Sequence, residues 1–243
     1  MVDAKLSIGA VVVTYKTSAE QLKRCLKSLQ QNDISDVSIV SNDVNNVGFA
    51  AAANKGAKKL CNELILFINP DAELIPNTIN KAVRLLQNNQ RIGIMGLMLC
   101  DLDYRDEINC YGSKVTPISI FIRHATRKPV LSKARFTGWV SGGAMLVKHS
   151  AWQELMGFDS QFFMYWEDVD LCRRASEFGW EVCIMPSVKV IHQRGASLQD
   201  LAQKTRIYDE SADKYWHKHY SKSICLWQRY SRILYRLLSQ SVD

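Results

Sequence analysis

The chain has 243 residues, 47% hydrophobic and 23% charged, which excludes a disordered, low-complexity or coiled-coil protein and leaves enough length for a sizeable core. The net charge of +7 is uneven: residues 214–242 hold six of the 31 Lys and Arg and none of the 24 Asp and Glu, so the body is close to neutral and the basicity belongs to the tail. That balance disfavours a nucleic-acid enzyme, and no apolar run approaches the roughly 18 residues of a membrane span. Seven scattered cysteines with no C-x-x-C pair indicate neither a disulfide framework nor a zinc site. The first residues, with Asp3 and Lys5, do not read as a signal peptide, so a cytosolic protein is expected.

Leu6 to Thr14 reads as a buried parallel strand that ends in polar Thr14-Tyr15-Lys16. Ser18 and Gln21 have the spacing of a capping box, and Leu22, Cys25, Leu26 and Leu29 fill one face of the helix that follows. Val37 to Val40 is a second strand, Asn42 to Gly48 a polar turn, Ala50 to Leu60 an alanine-rich helix and Leu64 to Ile68 a third strand. That strand stops at Asn69-Pro70-Asp71, and Thr78 to Gln87 resumes a helical period. Ile92 to Cys100, the longest apolar run, suits a buried strand. This alternation predicts an α/β fold with a mostly parallel sheet flanked by helices.

From Asp101 to Arg135 periodicity is lost, which predicts either a functional excursion or a strand pair without a clear signature. Val140 to Lys148 reads as a strand carrying Gly142 and Gly143, followed by a short helix near Ser150. A polar and aromatic stretch, Gly157 to Asp170, leads into a helix closed by Gly179, and two strands are expected at Val182 to Met185 and Val188 to Ile191. Near the end, Ile224 to Leu238 projects Arg229, Arg232 and Arg236 onto one stripe. Leu226, Trp227, Tyr230, Ile233, Leu234, Leu237 and Leu238 fill the opposite arc. Such a helix suits an anionic membrane surface or, nearly equally, packing on the domain or on a second copy of the chain.

Ligands of parallel α/β sheets bind beyond the carboxyl ends of the strands, which singles out Thr14-Tyr15, Asn42-Asp43 and Asn69-Pro70-Asp71. Asp71 could hold a divalent cation against phosphates, although alone Asn-Pro-Asp reads first as a turn. Glu167, Asp168 and Asp170 crowd three carboxylates into four residues behind Phe162-Phe163-Met164-Tyr165-Trp166. Crowding and desolvation raise a carboxylate pKa, as a general base requires, whereas an acidic first helical turn explains one or two of them. His192 ends the last strand; a lone histidine is more often structural.

These residues occur in an order that resembles a family 2 glycosyltransferase of the GT-A fold. The motifs are Val11-Val12-Val13-Thr14-Tyr15, Asn46-Val47-Gly48-Phe49-Ala50 with Asn54-Lys55-Gly56, Asn69-Pro70-Asp71, Gly157-Phe158-Asp159, Phe163 through Arg174, and His192 with Ser197. The nearest branch is the bacterial rhamnosyltransferase-like one of O-antigen and related polysaccharide synthesis. The resemblance covers residues 6–199 and implies a catalytic domain over 1–199 with a basic helical extension over 200–243. It also implies an inverting transferase that uses Mg²⁺ or Mn²⁺, a nucleotide-diphosphate sugar, best dTDP-L-rhamnose, and a polyprenyl-linked saccharide at the inner face of the inner membrane.

By that resemblance Asp168 is the base, with Glu167 and Asp170 as its alternates, and Asp71 and His192 are metal ligands. Asn69 and the positions Thr14, Tyr15, Asn42, Asp43, Gly48, Asn54, Gly142 and Gly143 line the donor cleft. One departure stands out: Ile39 to Asp43 runs straight into Asn46-Val47-Gly48-Phe49, where the family carries a further helix and strand. The shortened region motivates the alternative of a catalytically silent sugar-nucleotide-binding or assembly subunit.

Overall fold

The computed structural model describes residues 6–107, 109–118, 133–193 and 201–239. Ser197 and the middle of the expected excursion lie outside them, as do the side chains of the tail beyond Arg232.

β1 (Ile8–Thr14) leads through α1 (Ala19–Gln30) to β2 (Asp36–Ser41), and α2 (Phe49–Ala57) returns the chain to β3 (Leu64–Ile68) on the other side of β1. The capping box forms as expected: Gln21 N–H donates to Ser18 Oγ (3.2 Å) and Ser18 N–H to Gln21 Oε1 (3.1 Å). A short β4 (Ala72–Leu74) precedes α3 (Ile79–Asn88) and β5 (Ile92–Cys100). Then come β6 (Tyr111–Gly112), β7 (Arg135–Phe136), β8 (Trp139–Val140), β9 (Ala144–Lys148), α4 (His149–Glu154), α5 (Glu167–Glu177) and β10 (Glu181–His192). Two helices, α6 (Leu201–His219) and α7 (Lys222–Ser239), complete the described chain.

The main sheet has the order β2-β1-β3-β9-β5-β10-β4, with β7 also on β10. Every residue of β3 and β5 is buried, and because successive side chains point to opposite faces, both faces must be covered. β1, β2, β3, β5 and β10 run in one direction, so their carboxyl ends share one edge; β9 enters antiparallel between β3 and β5 and starts at that edge. The reversal of winding at β1 makes the same edge a topological switch point.

Several expectations change in detail. The strand expected over Val140 to Lys148 is two strands, because Gly142 and Gly143 form a turn between β8 and β9. The two strands expected around Pro186 are one, β10, whose register against β5 shifts between Met185 and Lys189, an irregularity that accommodates a residue with no N–H to donate. The aperiodic stretch from Asp101 to Arg135 supplies β6, which pairs with β8 just beyond it, held by Gly138 N–H donating to Gly112 O (2.8 Å).

The basic stripe of the last helix is also rearranged. Arg232 turns inward to Asp213 and Asp209 of α6, while Leu226, Trp227 and Tyr230 face outward. α6 is built into the body: Ala212, Tyr215 and Trp216 are buried in the main core.

Candidate active site

The turn after β3 is both a turn and a site. Ala72 N–H donates to Asn69 O (3.1 Å), which closes the bend, and the bend feeds β4, whose Ala72 pairs with His192 of β10. That pairing brings His192 Nε2 to 3.5 Å from Asp71 Oδ1 and 3.3 Å from the Asn69 amide. Asp71 is buried. The other ring nitrogen, Nδ1, lies 2.9 Å from Glu107 Oε1, and Glu107 is anchored by its own N–H donating to Leu99 O (2.8 Å) at the end of β5. Burial pulls the imidazole pKa down, but the flanking carboxylates of Asp71 and Glu107 outweigh it and hold it at about 9. At neutral pH the ring is an imidazolium between two carboxylates.

Among the described residues, no group of three or more His, Cys, Asp or Glu is spaced to hold a metal ion. Asp71 and His192 supply one carboxylate and one imidazole, and Glu107 sits on the far side of the ring. This pair fits a Mg²⁺ or Mn²⁺ ion that completes its shell with phosphate oxygens and water, and does not fit a closed protein cage.

The acidic segment separates into three fates. Asp168 is half-buried in the first turn of α5; its Oδ1 accepts from Val169 N–H (2.8 Å) and its Oδ2 from Gly142 N–H (2.9 Å). The next residue, Gly143, accepts from Asn69 N–H through its carbonyl (3.0 Å). One two-residue turn therefore ties the candidate base to the Asn69-Pro70-Asp71 segment. Glu167 is buried; burial first and the Asp168 charge second push its pKa well above the carboxylate range, and its Oε2 has no hydrogen-bond partner.

Asp170 is set apart from the cleft. It is fully buried and bound by Arg174 Nε (2.7 Å), His219 Nε2 (2.7 Å) and Lys218 Nζ (2.9 Å). Burial alone would raise its pKa, but these partners, His219 foremost, hold it at about 2. It joins α5 to α6 and has no proton traffic to conduct.

The segment ahead of the carboxylates is strained. Tyr165 and Trp166 are consecutive left-handed residues, with φ of 67° and 68°, conformations that cost of order 1–3 kcal/mol each. They are held by Phe49 N–H donating to Phe163 O (2.7 Å), by Ser211 Oγ donating to Met164 O (2.7 Å), and by Trp166 packing on Tyr208, Tyr215 and Trp216 of α6. The aromatic wall read in the sequence is thus completed from α6.

At the β1/β2 end, Thr14 and Asn42 are buried and bound to each other through Asn42 N–H and Thr14 O (2.8 Å). Tyr15 is half-buried at the edge. Asp43 is exposed, accepting Lys16 N–H (2.6 Å) and Ser41 Oγ (2.8 Å), bonds that lower its pKa. The shortened region is a direct link from β2 through these residues to α2, with Asp43 standing beside the end of β1.

Gly48 and Asn54 act through the backbone. Asn42 Nδ2 donates to Gly48 O (3.2 Å), and Gly48 itself, at φ 86°, packs against the Phe163 carbonyl. Asn54 is not brought to the edge: its amide is paired with the Phe158 backbone (2.8 and 2.9 Å) and Ser160 (3.3 Å). Glu107, His219 and the α6 aromatics were not legible as site residues. Glu107 lies in an aperiodic stretch, and the others lie far along the chain from what they support.

The sequence profile of the Glycosyltransferase like family 2 matches residues 11–209, from β1 into α6, and so includes the whole edge just described. The chain belongs to this family. Among curated glycosyltransferases it is 26% identical over 176 residues to the N-acetylglucosaminyl-diphospho-decaprenol L-rhamnosyltransferase of Mycobacterium tuberculosis, covering 63% of this chain and 57% of that protein. It is 28% identical over 160 residues to the rhamnosyltransferase WbbL of Escherichia coli K12, covering 61% and 58%. The chain thus spans less than two thirds of the length of these relatives. Among solved structures it is similar to GalNAc-T7 with UDP, GalNAc and Mn²⁺ (TM-score 0.61, 14% identity, 87% of this chain and 50% of that one). The fold is the GT-A glycosyltransferase fold.

Proposed function

We propose that this glycosyltransferase moves a sugar, with inversion, from a nucleotide-diphosphate donor to a polyprenyl-diphosphate-linked saccharide. L-rhamnose from dTDP-L-rhamnose is the donor favoured, because the curated relatives named above are rhamnosyltransferases and one is named for a diphospho-decaprenol acceptor. The observation that carries the reading is the Gly142-Gly143 turn, which hydrogen bonds to Asp168 on one residue and to Asn69 on the next. A proton acceptor and a diphosphate corner on adjacent peptides are what a single displacement needs.

Asp168 takes the proton from the acceptor hydroxyl as its oxygen forms a bond to the anomeric carbon. The bond from that carbon to the donor diphosphate breaks, and the nucleoside diphosphate leaves with the electron pair. One displacement from the opposite face inverts the centre. Asp71 and His192 are the residues to hold Mg²⁺ or Mn²⁺, which when bound would neutralise charge on the departing diphosphate. Glu107 keeps the His192 ring in place. Asn69 contacts the nucleotide side of the donor, and half-buried Tyr15 and exposed Asp43 are the groups at the β1/β2 end for base and ribose. On this reading residues 1–199 are the catalytic domain, 200–243 a helical extension, and the acceptor sets the site of work at the cytoplasmic face of the inner membrane.

The test is incubation of the protein with a panel of nucleotide sugars, including dTDP-L-rhamnose, and a lipid-linked N-acetylglucosaminyl diphosphate, with Mg²⁺ or Mn²⁺. Transfer with an inverted anomeric centre by NMR is expected. Donor binding without transfer or hydrolysis would assign the chain to the silent subunits instead.

A further inference from the structure

The described side chains of α7, Lys222 to Arg232, divide between an inward and an outward side. Its inward side mixes apolar and polar groups: Cys225 is buried in the main core and Ile224 packs against it, Gln228 is fully buried and donates to Pro117 O (3.4 Å), and Arg232 reaches Asp213 and Asp209 of α6. Its outward side carries Leu226, Trp227 and Tyr230, which are 57%, 42% and 70% exposed. These occupy positions i, i+1 and i+4, so they stand on one face of the helix. Lys222 and Arg229 are also exposed beside them, and from Lys214 to Val242 the chain has no carboxylate.

Ile224, Cys225, Gln228 and Arg232 hold α7 on the body and leave Leu226 and Tyr230 largely exposed, although burying them there would have stabilised the fold by more than about 1 kcal/mol each. We propose that this face of α7 is a docking surface for an anionic lipid bilayer, with Leu226, Trp227 and Tyr230 entering the headgroup boundary and Lys222 and Arg229 on the anionic headgroups. Two observations select a bilayer. The exposed residues pair one aliphatic side chain with a Trp and a Tyr, which have apolar bodies and polar tips suited to an interface. The exposed charges on α7 itself, Lys222 and Arg229, are of one sign, which complements an acidic leaflet and would repel a second copy of the same face. No helix among the described residues is long and apolar enough to cross a membrane, so contact is by a face lying in the surface plane. The choice of a bilayer also agrees with the lipid-linked acceptor proposed above and in that respect rests on it.

The measurement is flotation of the full chain with phosphatidylcholine vesicles, with and without phosphatidylglycerol, at low and high salt, in the absence of donor and acceptor. Binding is expected only with phosphatidylglycerol and is expected to weaken with salt. Leu226→Ser with Tyr230→Ser should weaken it by about tenfold or more, and Lys222→Glu or Arg229→Glu by about fivefold each. Circular dichroism and donor binding, measured on every variant, should stay as in the parent, since none of these side chains touches the site. Equal flotation of parent and variants, or none by the parent, would overturn the proposal, as would a parent dimer that the Ser variants dissociate. A chain that floats but transfers no sugar would retain this docking surface and lose the proposed function.

Discussion

The Gly142 N–H donates to Asp168 Oδ2 across 2.9 Å, joining the turn between β8 and β9 to the first turn of α5. Asp168 also accepts Val169 N–H at 2.8 Å, so its carboxylate holds two backbone donors, while a neutral amide has one oxygen to offer them. Asp168→Asn is therefore expected to lower kcat by about 10² to 10⁴ through loss of the base, and to cost about 1 kcal/mol of stability through one unmet N–H. Transfer rates, donor binding by calorimetry and urea unfolding separate the effects. Unchanged kcat in a folded variant would move the proton acceptor elsewhere.

Glu107 Oε1 lies 2.9 Å from His192 Nδ1, the ring nitrogen turned away from Asp71. Glu107→Gln keeps a hydrogen-bonding oxygen but removes the charge that helps hold the imidazole protonated and oriented. Outer partners of metal-binding histidines are worth about 10- to 100-fold in metal affinity, and a loss of that size is expected in the Mn²⁺ affinity once it is corrected for the proton that His192 must release, read from titrations at several pH values, while the fold is kept. Calorimetric Mn²⁺ titration in the presence of nucleoside diphosphate is the check. An unchanged affinity would leave Glu107 as a plain structural partner.

The α/β alternation, the capping box of α1 and the edge formed by Thr14, Asn42 and Asn69 were legible because each is local: a period, a spacing or a strand end. Strand direction was not. A fully buried run such as Ala144–Lys148 carries no mark of whether it runs with or against its neighbours, so the antiparallel insertion of β9 could not be read. Asp168 and Asp170 look alike in sequence, two acids in one helical turn. What separates them is His219 and Lys218 of α6, brought in by tertiary packing. β4 is too short to show a period, yet by pairing Ala72 with His192 it brings the ring beside Asp71.

Asp170 gives the strongest structural prediction. It is fully buried and faces Arg174, Lys218 and His219. Asp170→Asn keeps the shape but removes the carboxylate that Arg174 and Lys218 share, leaving Lys218 with Asp159 (2.6 Å), and breaking a buried pair by one partner costs about 3–5 kcal/mol. Urea unfolding should show that loss, with α6 losing amide protection first. A change below about 1 kcal/mol would mean that water replaces the carboxylate.

Gly48 is at φ 86° and ψ 167°, a region reserved for glycine, and a Cβ there would lie 2.3 Å from the Phe163 carbonyl oxygen. Backbone cannot move aside as a side-chain tip can. Gly48→Ala should therefore destabilise by on the order of 3 kcal/mol and loosen the Phe49 to Phe163 hydrogen bond that supports the strained Tyr165-Trp166 pair. Thermal unfolding and near-ultraviolet dichroism report both, and a wild-type melting curve would contradict the geometry.

His192 makes stability depend on pH in a definite direction. Its folded pKa of about 9 exceeds the ordinary 6.5, so below 6.5 both folded and unfolded chains carry the proton and the imidazolium's stabilisation by Asp71 and Glu107 is complete. Between 6.5 and about 9 the unfolded chain releases the proton while the folded one keeps it, so the contribution shrinks as pH rises, and above about 9 it is gone. The amount is on the order of 3 kcal/mol. Urea unfolding in a chelator at about pH 6, 8 and 10 should show that fall, and His192→Gln should flatten it. Mn²⁺ competes with the proton for Nε2, so its binding should tighten with pH across the same window and release a proton on the acidic side of it. A parent protein whose stability is level from about pH 6 to 10 in chelator would remove the two-carboxylate clamp on His192.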